Sequence, residues 1–87
     1  MAYVYIVECG DGTLYTGWTT DLKSRVETHN RGKGASYTRG RGPVRIAYWE
    51  AADDKRQAQR REAAIKKLTR QDKLKLISQT SMEKLPE

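Results

Sequence analysis

β-forming, largely apolar residues run unbroken from Tyr3 to Val7, with Tyr3, Tyr5 and Val7 on one side and Val4 and Ile6 on the other. Such a run predicts a strand. Gly10-Asp11-Gly12 follows, a turn whose glycines admit left-handed backbone. Thr13 to Gly17 then predicts a second strand, so the chain opens with a β-hairpin. Thr20 and Asp21 offer a helix cap, and Leu22 and Val26 recur at i, i+4, which predicts a helix. Arg25 and His29 share that spacing beside the apolar seam. Val44, Ile46 and Tyr48 alternate with Arg45, Ala47 and Trp49, a third strand, and Glu50 to Asp53 turns the chain. Asp54 with Gln57 forms a capping box for a helix running to about Leu68. Its apolar side is Ala58, Ile65 and Leu68 with Ala63 or Ala64. Thr69 with Asp72 caps a short last helix seated by Leu74, Leu76 and Ile77. The expectation is an α+β fold, one small domain over residues 1–78 in the order β-β-α-β-α-α, and a flexible tail over 79–87.

Charge changes the picture more than composition does. The chain has 87 residues, 37% of them hydrophobic, and no Phe, so its core must lean on Tyr and Trp. Its formal charge of +6 favours a polyanionic partner, nucleic acid before membrane. The cations are not spread evenly. Residues 31–43 read Arg-Gly-Lys-Gly-Ala-Ser-Tyr-Thr-Arg-Gly-Arg-Gly-Pro, a loop by its four glycines and proline. Such a loop can bring Arg31, Lys33, Arg39 and Arg41 to phosphates, with Tyr37 stacking on a base or positioning a phosphate; it can also be a solvated connector. Cys9 is the single cysteine, which excludes an internal disulfide, and it reads as a small buried residue. No apolar run is long enough for a membrane span and no signal peptide is visible, so a cytoplasmic location is expected.

Glu62 is the residue that pattern alone leaves open. It projects near Ala58 and Ile65, and around it lie Arg60, Arg61, Lys66 and Lys67. It is either a salt-bridge partner or a ligand for a hard cation, which takes oxygen donors and often only one or two carboxylates. No pair of acids at metal-site spacing and no His cluster accompany it, which argues against a two-metal site.

The opening unit resembles the signature of the GIY-YIG nuclease domain, closest to its small stand-alone bacterial branch. Tyr3-Val4-Tyr5 stands at the first half of the motif and Tyr15-Thr16-Gly17 at the second. Arg25 follows Gly17 by eight residues, and Glu62 lies on the later helix. The similarity covers roughly residues 3–77. It implies a three-stranded antiparallel sheet flanked by helices and a metal-dependent endonuclease hydrolysing DNA with a single ion, Mg²⁺ or Mn²⁺, held by Glu62. It further implies that Tyr15 serves as general base, that Tyr5 orients the machinery, that Arg25 contacts a phosphate oxygen, that His29 relays a proton or binds phosphate, and that Gly17 lets the backbone approach the substrate. Arg61, Lys66 and Lys67 then join the basic loop in holding the nucleic acid, with DNA favoured over RNA and no membrane involved. Two signature features differ. Tyr3, Val4 and Thr16 replace the first Gly and both Ile, and the Asn that many family nucleases carry after the Glu is missing, since Asn30 lies elsewhere. The competing reading is a protein that binds nucleic acid without cutting it.

One geometric condition follows. Tyr5 and Tyr15 share a face of the hairpin only if its loop has an odd number of residues, which sets Tyr15 opposite Val7.

Overall fold

A computed structural model describes residues 1–30 and 43–79, apart from the side chain of His29. Its elements are β1 (Ala2–Glu8), β2 (Leu14–Thr19), α1 (Leu22–Asn30), β3 (Arg45–Ala52), α2 (Lys55–Lys66) and α3 (Arg70–Ser78). This is the expected α+β order. Arg31, Lys33, Tyr37, Arg39, Arg41 and all of the expected tail except Gln79, which caps α3, lie outside the described residues.

The three strands form one antiparallel sheet in the order β2-β1-β3. The turn closes tightly. Cys9 N–H donates to Thr13 O at 2.8 Å and Gly12 N–H to Cys9 O at 2.9 Å, leaving Gly10-Asp11-Gly12 as an odd loop. Only Gly12 uses left-handed backbone, at φ +85°. Asp11 Oδ1 accepts from both the N–H and the hydroxyl of Thr13, which fixes the turn further. β3 is longer than its alternation predicts. It runs through Glu50 to Ala52, because Glu50 pairs with Val4 and Ala52 with Ala2. A register shift between Ile6 and Val7 interrupts this pairing, which is why strict alternation along β3 stops being a guide.

β1 is central, so its two faces organise two separate clusters. Ala2, Val4 and Ile6 meet Tyr48, Ala58 and Ile65 on the side covered by α2. Tyr5 and Val7 meet Cys9, Leu22 and Val44 on the other, with Tyr3, Tyr15, Ile46 and Trp49 packed against them. Cys9 is buried, as expected. The seam of α2 is narrower than expected: Ala58 and Ile65 are buried, but Ala63 and Ala64 are both exposed. At about 100° per residue those two alanines point away from the line joining 58 and 65. In α3, Leu76 and Ile77 pack on the core while Leu74 is exposed, so Leu74 does not seat the helix. The caps are as the sequence requires: Asp54 accepts from Gln57 N–H and Thr69 from Asp72 N–H.

Candidate active site

The hairpin turn decides where the two tyrosines go. Tyr15 stands opposite Val7 and Gly17 opposite Tyr5, so both phenols leave the same face of the sheet. Tyr5 is buried and leans across to its partner strand. A Cβ placed on Gly17 would lie 2.6 Å from the Tyr5 hydroxyl, 2.8 Å from Tyr5 Cζ and 3.2 Å from Tyr15 Cε2. The space left by the missing side chain at Gly17 is therefore filled by the Tyr5 ring. The packing of that ring is by itself a reason for glycine here, beside the approach of substrate that the motif suggests.

Arg25 reaches this face from α1. Thr19 Oγ1 accepts from Asp21 N–H and Asp21 Oδ1 accepts from Ser24 N–H, both at 3.1 Å. This cap starts the helix, and Arg25 N–H closes its first turn on Asp21 O at 3.0 Å. The Arg25 side chain is exposed. Glu62 arrives from α2, whose buried line lies on the opposite face of the sheet. Residues 61 and 62 flank that line on its two sides. Arg61 turns to β3, where its Nε donates to both carboxylate oxygens of Glu50 at 3.0 Å. Glu62 therefore lies on the flank toward β2, the edge strand on which α2 also packs.

Tyr5 senses all of these groups together. Burial pushes its phenol well above the ordinary range. The neighbouring Tyr15 raises it further, the Arg25 guanidinium opposes the shift, and the Glu62 carboxylate adds to it. Tyr5 therefore stays protonated at neutral pH. Two phenols, one guanidinium and one carboxylate share one electrostatic neighbourhood although they come from β1, β2, α1 and α2. The α1 backbone carries His29 at the next turn after Arg25; its side chain is outside the described residues.

The donor set is compatible with one hard cation. Among the described residues no three His, Cys, Asp or Glu side chains come together, so an all-protein cage is ruled out there. A lone carboxylate suits Mg²⁺, which retains several waters and takes its remaining ligands from a phosphate. The Glu62 side chain is 20% exposed, and its partner Lys66 stands off at 3.6 Å. Glu62 thus has the i, i+4 ion pair that one of the two readings of its position requires, and its side chain is only partly buried. A hollow of about 420 Å³ lies elsewhere, at the hairpin turn between Cys9, Gly12, Pro43 and Val44, and none of the expected site residues among those described lines it.

Among the expected nucleic-acid contacts, Lys66 and Lys67 are exposed on the Glu62 end of α2, whereas Arg61 is engaged by Glu50. Glu50 also accepts from the Tyr48 hydroxyl at 2.6 Å. Burial, and then this bond, push the Tyr48 phenol up to about 12. Sequence reading passed over this triad. Its signal was available in Glu50, the one acid within the third strand. Tyr3 and Trp49 also meet edge to face, with ring centroids 5.8 Å apart, on the Tyr5 side of the sheet.

Comparison with known proteins identifies the family and agrees with the fold. The family model described as the GIY-YIG catalytic domain matches residues 1–75. A UPF0213 protein of Clostridium perfringens is 58% identical over 83 residues, covering 95% of this chain and 89% of the relative. One from Streptococcus agalactiae serotype V is 57% identical over 82 residues, covering 94% and 93%. Two solution NMR structures superpose on the fold. A UPF0213 protein from Bacillus halodurans has a TM-score of 0.59 at 49% identity, covering 92% of this chain and 86% of that one. A protein from E. faecalis has a TM-score of 0.57 at 37% identity, covering 97% and 93%.

Proposed function

We propose, from the premise that the chain belongs to the GIY-YIG catalytic-domain family, that it is a nuclease that hydrolyses phosphodiester bonds in DNA with the help of one divalent cation. The proposal is supported by the family match over residues 1–75 and by the hairpin register, which puts Tyr5 and Tyr15 on one face of the sheet, where the charges of Arg25 and Glu62 act on the Tyr5 phenol.

Hydrolysis needs an activated water, neutralisation of charge on the phosphoryl oxygens and help for the leaving oxygen. Tyr15 accepts a proton from the attacking water as its own phenolic proton passes to solvent; the water oxygen bonds to phosphorus as the ester oxygen departs and takes up a proton from solvent. Tyr15 is half-buried and stands on the same face of the hairpin as Tyr5. Tyr5, kept neutral by burial, donates a hydrogen bond and orients that machinery. Arg25 binds a non-bridging phosphate oxygen, a task that suits its planar fork. Glu62 would hold Mg²⁺ or Mn²⁺, and when bound the ion supplies Lewis-acid stabilisation of charge on the phosphate and on the leaving oxygen. Lys66 and Lys67 extend the positive surface beside Glu62. His29, Arg31, Lys33, Tyr37, Arg39 and Arg41 complete the proposed substrate contacts from sequence alone.

The test is nicking of supercoiled DNA by the purified protein with Mg²⁺ or Mn²⁺, with Glu62→Gln and Tyr15→Phe beside it. Cation-dependent nicking lost in both variants is the expected result. Salt-sensitive DNA binding without any nicking would replace the hydrolytic assignment by the non-catalytic one.

A further inference from the structure

We propose that the outer face of α2 is a docking surface for double-stranded nucleic acid, with its two ends gripping opposite strands. This rests on the reading of the Glu62 edge as the place where a phosphate is presented. The helix carries cations at both ends, Lys55 and Arg56 at the start and Lys66 and Lys67 at the finish, and all four are exposed. Between them the surface is low and uncharged at Gln59 and Ala63, with Arg60 beyond on the outermost line. The rise of an α-helix puts Arg56 and Lys67 about 16 Å apart along the axis. Long side chains at that separation reach inward to phosphates on both banks of a groove about 12 Å wide. A small residue such as Ala63 at mid-span lets the helix backbone come close. A single strand presents no second rail and uses one end only.

Helix stability does not account for this arrangement. Cations in the first turn oppose the helix dipole, yet α2 begins with Lys55 and Arg56 and has no acid in that turn. Asp54, the nearest carboxylate to its start apart from Asp53, is used as the cap on Gln57 N–H at 2.9 Å. Among the described residues, none of Lys55, Arg56, Arg60 and Lys67 is in an ion pair, and Lys66 pairs only with Glu62. Glu62 is the single acid of α2 and lies at the rim of the cationic face, next to Lys55 and Lys66 around the helix. Arg61 takes no part, because it points to β3 and is held by Glu50.

The test is binding, measured by fluorescence anisotropy in EDTA with the full chain carrying Glu62→Gln, against a labelled duplex and a single strand of equal length. Arg56→Ala with Arg60→Ala should weaken duplex binding about tenfold at low salt and flatten its salt dependence by nearly one unit of slope per lost phosphate contact. Lys67→Ala should do the same in smaller measure. Lys75→Ala, an equal loss of charge on α3, should leave duplex binding within twofold. Alanine favours the exposed helix, and circular dichroism confirms the fold of each variant. Equal losses for Lys75→Ala and the Arg56/Arg60 variant would reduce the effect to net charge and overturn the proposal. So would an equal loss on single strand and duplex, or no loss at all. Because no cleavage is read, a wild-type protein that fails to nick DNA would sink the hydrolytic assignment without touching this outcome.

Discussion

The Tyr5 phenol occupies the place where a side chain at Gly17 would stand, its hydroxyl 2.6 Å from that Cβ position. Gly17→Ala must therefore displace the ring on which the candidate site converges. The expected cost is about 1–3 kcal/mol of stability, with a loss of nicking of about a hundredfold from the displaced phenol. Denaturant midpoints and plasmid nicking measure the two. Gly12→Ala is the comparison: it has open space but a φ of +85°, so it should cost stability and leave the turnover of the folded protein unchanged.

Arg25 is the one group that opposes the upward push on Tyr5. Arg25→Ala should move the Tyr5 titration to still higher pH, read by NMR of Cζ-labelled tyrosine. Arg25→Lys should preserve that charge effect while losing bidentate phosphate recognition, so nicking falls about tenfold or more although Tyr5 titrates nearly as before. A Lys variant with full activity would show that the planar fork is not used.

Thr16 is 3% exposed and its hydroxyl has no hydrogen-bond partner. Thr16→Val keeps the β-branched shape and removes the unpaired group. A gain of about 1 kcal/mol is expected in urea denaturation, since an unsatisfied buried hydroxyl costs of that order. A loss of stability would mean that the hydroxyl is satisfied in solution.

Stability should fall as the solution becomes strongly alkaline. Phenols in the unfolded chain ionise near pH 10, whereas Tyr48 holds its proton to about 12 and Tyr5 beyond the ordinary range. Between those values the folded state binds more protons than the unfolded state. The contribution is complete below about pH 10 and is lost as pH rises through the folded value. Tyr48→Phe should shallow that decline, which denaturant titrations at a series of pH values will show.

Arg61→Ala should weaken folding rather than DNA binding. Its guanidinium joins α2 to Glu50 on β3, and both side chains are partly exposed, so a loss of about 1 kcal/mol is expected. DNA affinity that drops as far as in the Arg56/Arg60 variant would return Arg61 to the binding surface.

Much of this was legible in the chain. The turn glycines and the parity of their loop set Tyr15 opposite Val7, and Asp54 and Thr69 announced their helices through their partners three residues on. Local chemistry carries such signals, because cap, turn and strand period each act within a few residues. What local pattern could not convey was contact across elements. Nothing in Arg60-Arg61-Glu62 says that one neighbour turns to β3 and the next to β2. The depth of the apolar seam was likewise misread, since Ala63 and Ala64 are small enough to be tolerated on either side of a helix. Gly17 invited a role toward substrate, and only the lean of the Tyr5 ring shows a second reason for glycine there.

Asn30, the last residue of α1, accepts the Val44 N–H on its side-chain oxygen at 2.7 Å. That one bond ties the end of α1 to the residue before β3, so the helix that carries Arg25 is pinned to the sheet at its far end as well as at its cap. Asn30→Ala should loosen this junction without touching either strand pairing.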